Sequence, residues 1–278
     1  MNHPTLTFIG GGNMANSIIG GLTAKGFPAG NIRVSDPFVE SREKLVQQFS
    51  ILAFADNQEA IAATDVIILA VKPQVMEQVC TDLCENLNNN LKHRPMVMSI
   101  AAGIDIRSLN QWLGNDLAIV RCMPNTPALV QTGASGLFAN AATSNAQKKL
   151  AEQVLSAVGI VQWLEREDLI NPVTAVSGSG PAYYFLLMEA MIEAGVAQGL
   201  TRAVASELTL QTALGAAKLA QSSDVDVAEL RQRVTSPNGT TEKAILSFEN
   251  NKLRSIVATA MQACSDRARE MANELGAK

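Results

Sequence analysis

Histidine and aromatic side chains are scarce in this 278-residue chain: it has two His, His3 and His93, and 4% aromatics. A His-based catalytic triad, a multi-His metal site and an aromatic platform for nucleic acid all lack parts. No metal is expected. A charge excess is missing too. Lys and Arg number 22 against 26 Asp and Glu, a net charge of -4, so nothing marks a nucleic-acid partner. The four cysteines, Cys80, Cys84, Cys122 and Cys264, form no C-x-x-C pair and read as scattered apolar thiols in a reducing compartment. Cys80 and Cys84 stand one helical turn apart without implying chemistry. Long apolar runs are also lacking. Val66 to Val71 is strand-sized, far below the roughly 20 residues of a membrane helix. Leu6 to Gly21 is broken by five glycines and two asparagines, unlike a signal segment. The expectation is a cytoplasmic protein with no membrane partner.

What the chain has is length for one large or two ordinary domains, and 47% hydrophobic residues to build them. Its first half alternates short β-branched runs (Leu6–Ile9, Ile32–Ser35, Ile51–Ala55, Val66–Val71, Met96–Ile100 and Ala118–Met123) with stretches of helical spacing (Asn13–Lys25, Pro37–Phe49 and Pro73–Leu87). That is the pattern of a parallel sheet wrapped by helices. Gly136–Ala139 and Ile160–Leu164 are weaker strand candidates around a helix at Asn145–Val158. Asn86–Asn90 reads as a polar loop. After about residue 166 the strands stop. Helical stretches follow at Pro181–Gly199, Arg202–Gln221, Val227–Val234, Thr241–Phe248 and Leu253–Leu275. In the last, Val257, Met261, Cys264, Ala268, Met271 and Leu275 form a heptad-like seam. A partner helix in the same subunit or in a second one would suit it. The fold class expected is α/β: an N-terminal Rossmann domain with a mostly parallel doubly wound sheet, residues 1–165, and an all-α dimerisation and substrate-binding domain, residues 166–278.

Gly10, Gly12 and Ala15 fit G-x-G-x-x-A between a predicted strand and helix. Gly10 allows a tight turn, Gly12 lets the backbone approach a pyrophosphate, and Ala15 lets the helix pack closely. The helix N-terminus would then face the phosphates. The second strand ends at Ser35 and Asp36. Asp36 lies where an acidic residue would bond the ribose 2′-OH of NAD, yet Ser35, Ser41 and Arg42 could accept a 2′-phosphate. An Asp beside a phosphate would repel it unless turned away, so these residues by themselves lean to NAD or to use of both. Asn57 could cap the next helix or touch the adenosine side.

Further on, Ala70-Val71-Lys72-Pro73 and Pro124-Asn125-Thr126-Pro127 follow strands at the edge where open α/β sheets bind ligands. Ser236-Pro237-Asn238-Gly239-Thr240-Thr241 precedes a helix and offers hydroxyls and N–H groups to a carboxylate, or merely caps that helix. Ser177-Gly178-Ser179-Gly180-Pro181 opens another helix.

Taken in order, six segments resemble the pyrroline-5-carboxylate reductase family: Phe8–Ala15, Ala70–Pro73, Ser99–Gly103, Arg121–Pro127, Val176–Ala182 and Val234–Thr241. They span most of the chain. The resemblance implies an NAD(P)H-dependent oxidoreductase of proline biosynthesis acting on a CH–NH (imine) group. NADPH is the usual donor, with NADH used by some members. It assigns the pyrophosphate to Gly10, Gly11, Gly12, Asn13, Met14 and Ala15. The nicotinamide half falls to Ala70, Val71, Lys72, Pro73, Ser99, Ala101 and Ala102. Ser35 and Asn57 fall on the adenosine side, and Asp36 stays a candidate cofactor contact. The substrate carboxylate falls to Ser236, Gly239, Thr240 and Thr241, with Thr241 the catalytic candidate near the ring nitrogen. It implies a homodimer unit, which could build a higher homo-oligomer such as a decamer. The chain departs from the pattern at Asn238, where a second Gly is common, and at Glu242, where an apolar residue is usual. Asn tolerates the left-handed backbone, so the loop shape can survive. Arg233 nearby could strengthen carboxylate binding.

Two rivals stand beside this reading. A 3-hydroxyacid-type dehydrogenase would need a catalytic Lys in the helical half, and Lys218 has no matching surroundings. A non-catalytic NADP-binding sensor would need no Ser236–Thr241 loop.

Overall fold

The computed structural model describes residues 3–89, 94–114 and 117–276. His93, expected in a polar loop, lies outside them, as does Asn90. Eight strands form one sheet: β1 (Leu6–Ile9), β2 (Ile32–Ser35), β3 (Leu52–Phe54), β4 (Val66–Leu69), β5 (Met96–Ser99), β6 (Ile119–Met123), β7 (Gly133–Ala139) and β8 (Gly159–Trp163). Their order is β3-β2-β1-β4-β5-β6-β7-β8, with β6 and β7 the antiparallel pair among otherwise parallel neighbours. The first six strands thus take the doubly wound order of a dinucleotide-binding fold.

The central strands are apolar on both faces, because both are covered. Phe8 of β1, Val66 and Ile68 of β4, Met96 and Met98 of β5 and Val120 of β6 join one core cluster. It is closed by Ala15, Ile18, Ile19 and Leu22 of α1 (Asn13–Ala24) and by Val154 and Leu155 of α6 (Asn145–Ser156). The alternate residues Ile9, Ile67, Leu69, Val97 and Ile119 face the other way. They meet Met76, Cys80, Leu83 and Leu87 of α4 (Met76–Asn89) and Ile106, Leu109 and Leu113 of α5 (Ile106–Leu113). The period of two in the strands becomes two layers of helix. Between these elements lie α2 (Val39–Phe49), the single turn α3 (Asn57–Ala60) and α7 (Ile170–Val173), which runs into a π-turn over Thr174–Gly178.

Several local expectations are corrected. Asn86–Asn89 continue α4 rather than form a loop, because Leu87, 5% exposed, packs the last turn onto the core. The helix α5 was not anticipated. Asp105 caps it, its carboxylate accepting from Ser108 N at 2.8 Å. Asn57 does not cap α3. Asp56 does, accepting from Glu59 N at 2.9 Å, and Asn57 is the first helical residue.

Close contacts divide the chain into two compact units, residues 3–179 with 263–276 and residues 180–262. In the first, buried Arg121 on β6 donates to Glu167 Oε1 at 3.0 Å, and the same oxygen accepts from Ile106 N at 2.8 Å. The second holds α8 (Gly180–Ala197), α9 (Arg202–Gln221), α10 (Val227–Arg233), α11 (Thr240–Asn250) and the first part of α12 (Leu253–Leu275). Tyr184, Phe185, Leu186 and Leu187 of α8 and Leu208, Leu210 and Leu214 of α9 are exposed in the single chain. Apolar residues all round a helix call for cover.

The α12 seam is split. Leu275 packs on the second core cluster and Met271 lies against Gly103, so its end is answered within the chain. Val257 is 46% exposed.

Phe8 is fully buried at the centre of the sheet. Phe8→Ala is expected to lower stability by about 3–5 kcal/mol through lost burial and a cavity. Urea unfolding followed by far-UV circular dichroism measures it, and a loss below about 1 kcal/mol would show the core is not packed as described.

Candidate active site

Strands β1, β2, β4, β5 and β6 run parallel, so their carboxyl ends share one edge of the sheet. That edge gathers Gly10–Ala15, Ser35 and Asp36, Ala70–Pro73, Ser99–Ala102 and Pro124–Pro127. Asn57, half-buried, follows β3 at the same edge.

Gly10 is the tightest point. Its φ is +100° and its N–H donates to Ser35 O at 2.8 Å. A Cβ there would meet Ala70 O at 2.8 Å, so only glycine allows the three strand ends this close. Gly11 donates its N–H to Asp36 Oδ2 at 2.8 Å, and Asp36 Oδ1 accepts from Phe38 N at 2.9 Å. Gly12 is different. It precedes α1 with no side-chain cap, no acidic residue follows in the first turn, and a Cβ on it would meet nothing within 4 Å. Gly12 and Asn13 are exposed, Met14 is half-buried, and Ala15 is fully buried in the helix–sheet contact. An open approach to uncommitted N–H groups at a helix N-terminus fits a pyrophosphate. The residues present therefore fit a dinucleotide.

The specificity end is more particular. Asp36 is 8% exposed, and both its carboxylate oxygens are already engaged by backbone N–H groups. Arg42 Nη1 donates to the carbonyls of Asp36 at 2.6 Å and Pro37 at 3.1 Å, and Ser41 Oγ donates to Gly11 O at 3.3 Å. Ser35 is buried, and its hydroxyl has no hydrogen-bond partner among the described residues. In the segments expected to border the nicotinamide, Ala70, Val71 and Pro73 are half-buried and Lys72 is exposed. Ser99 is fully buried and its hydroxyl accepts from Ala101 N at 3.4 Å; Ala101 is buried and Ala102 half-buried.

Asn125 is a residue whose role the sequence did not disclose. Its Nδ2 donates to Ser177 O at 2.9 Å and its Oδ1 accepts from Ala134 N at 2.9 Å. It ties the end of β6 to the π-turn, where a Cβ on Gly178 would press on the tip of Met123, 2.6 Å away, and make that side chain shift. Both segments stood out in the sequence, but nothing there paired them. Burial pushes the Cys80 thiol up to about 12 and Cys122 also well above its usual range, so neither is a nucleophile.

The Ser236–Thr241 loop lies in the second unit. Gly239 precedes α11 without a side-chain cap, and its N–H donates to Ser236 O at 3.0 Å. Among the described residues, the hydroxyls of Ser236, Thr240 and Thr241 make no hydrogen bond. A loop that only capped its helix would have committed one of them. Arg233 is engaged elsewhere, donating to Glu229 Oε1 at 2.6 Å on the surface of α10.

Comparison with known proteins agrees with this arrangement. Residues 5–103 match the family model "NADP oxidoreductase coenzyme F420-dependent", and residues 167–271 match "Pyrroline-5-carboxylate reductase dimerisation". A pyrroline-5-carboxylate reductase of Pseudomonas aeruginosa is 56% identical over 276 residues, 99% of this chain and 100% of that protein.

The chain belongs to the pyrroline-5-carboxylate reductase family.

Among solved members, the Coxiella burnetii reductase superposes with a TM-score of 0.92 at 43% identity, covering 97% of this chain and 99% of that one. The Plasmodium falciparum reductase, solved with NADP bound, superposes with a TM-score of 0.85 at 28% identity, covering 98% and 99%. The family's dimerisation region accounts for the exposed apolar helices of the second unit: the chain forms a homo-oligomer. No helix among the described residues is long and apolar enough to cross a membrane.

Gly12→Val tests the dinucleotide site apart from the fold. A Cβ at this position meets no protein atom within 4 Å, so stability is expected to change by no more than about 1 kcal/mol. NADPH binding, read by fluorescence titration, is expected to weaken at least about tenfold through blocked phosphate approach. Unchanged affinity would remove the pyrophosphate from this turn.

Proposed function

We infer that this chain reduces 1-pyrroline-5-carboxylate to L-proline by hydride transfer from NAD(P)H. The observation that carries the reading is the full-length match, at 56% identity, to a curated reductase of that name. The geometry supports it through an open, uncapped helix start at Gly12 and a second one at Gly239.

Residues 1–165 are proposed as the dinucleotide-binding domain and 166–278 as the dimerisation and substrate-binding domain. When bound, the nicotinamide supplies the hydride from its C4 to the C=N carbon of the substrate. The protonated iminium is already electrophilic, so positioning and exclusion of water are the enzyme's main tasks. Gly10–Ala15 would hold the pyrophosphate through backbone N–H groups. Ala70–Pro73 and Ser99–Ala102 would border the nicotinamide. Ser236, Thr240 and Thr241 would hold the substrate carboxylate with hydroxyls and the first N–H groups of α11. Gly239 would contribute by shape, since its own N–H is spent on Ser236 O. The Thr241 hydroxyl would donate or relay a hydrogen bond at the ring nitrogen rather than act as a strong acid.

NADPH is proposed as the preferred donor, with NADH as an alternative. Arg42 and Ser41 stand beside the end of β2, while the Asp36 carboxylate is occupied by Gly11 and Phe38. The dehydrogenase rival finds no support: Lys218 is an exposed residue in the last turn of α9. A cytoplasmic location and a decamer built from homodimers complete the proposal.

Thr241→Ala is expected to lower kcat with a modest change in NADPH affinity; unchanged turnover would remove Thr241 from the reaction. The ratio of kcat/KM for NADPH over NADH is expected to exceed one. A strong NADH preference would make Asp36 the ribose ligand and Arg42 a bystander.

A further inference from the structure

Asn238, just before α11, and Glu242, in the first turn of that helix, are bonded to each other. Asn238 adopts φ +59°, a left-handed backbone that favours glycine. Its N–H donates to Glu242 Oε2 at 2.8 Å. One residue on, Gly239 N donates to Ser236 O at 3.0 Å, and a Cβ on Gly239 would sit 3.0 Å from that same oxygen. The turn is therefore closed at two successive N–H groups. One bond belongs to the loop itself, and the other is charge-assisted, from the first turn of α11. A carboxylate in that turn also suits the helix dipole.

We propose that Glu242 is a positioning residue of the reductase. It holds Asn238 in the left-handed turn that glycine would adopt unaided. It thereby sets the hydroxyls of Ser236 and Thr241 and the N–H groups that open α11 against the substrate carboxylate. Asn238 and Glu242 form one unit: the acidic side chain stabilises a conformation that a glycine would adopt without help. The inference rests on the reading that residues 236–241 bind the substrate carboxylate.

The test is steady-state kinetics of the full-length enzyme with 1-pyrroline-5-carboxylate and NADPH. Glu242→Ala removes the acceptor and is expected to raise KM for the pyrroline about tenfold. On the same scale kcat and KM for NADPH should stay within about twofold. Glu242→Gln keeps an acceptor and should recover most of the affinity. Adding Asn238→Gly to Glu242→Ala should restore KM, because glycine takes the turn without help. A general loss of structure would move kcat and both KM values together and would not be rescued by glycine. The inference is overturned if Glu242→Ala leaves KM unchanged, if the glycine fails to restore it, or if Glu242→Gln is as damaging as Glu242→Ala. Ser236→Ala and Thr241→Ala separate the two levels. If neither changes KM for the pyrroline, the carboxylate loop itself is wrong and this inference falls with it. If both raise KM and Glu242→Ala does not, only the role of Glu242 falls.

Discussion

The arrangement at the cofactor edge depends on one close approach. At Gly10 the end of β1 comes within hydrogen-bonding distance of Ser35 on β2 and leaves no room for a Cβ against Ala70 beyond β4. A side chain at this point would push the strand ends apart. With it would go the turn that aims α1 at the edge, the Gly11–Asp36 bond and the open face of Gly12. The parallel sheet, apolar on both faces, supplies a stiff base that keeps these strand ends in register.

The two candidate binding elements use the same physics. Each is a helix start whose N–H groups are not taken by a side-chain cap, preceded by glycine, with uncommitted polar groups nearby. The first is proposed for phosphate, the second for carboxylate. This is how a chain with two histidines and no metal-binding cluster among its described residues can handle two anionic groups. Backbone dipoles, fixed by the fold, substitute for charged side chains. The reaction proposed for it asks for little more, because the iminium carries its own activation.

Much of the fold was legible in the residues. β1, β2, α9 and α12 have the boundaries that periodicity predicts. Strong alternation and turn signals act locally, so they survive translation into structure. The helix α5 escaped notice because it is eight residues long, and its Asp105 cap is a common residue that marks a helix only once the chain around it is placed. The cap at Asp56 rather than Asn57 turned on a single position, which spacing does not separate. Asn86–Asn89 read as a loop by composition, and the burial of Leu87 outweighed it.

Sequence alone determined the order of strands and helices, the glycine turn at residues 10–15, the family and the segments proposed to carry its chemistry. All of these are written in short-range spacing and residue type. Tertiary structure decided what spacing cannot express. It turned the Asp36 carboxylate onto Gly11, twenty-five residues away. It also tied Asn125 to Ser177, fifty-two residues away. The reason is directional: a hydrogen bond depends on where a donor points in space. A motif records only which donors are present.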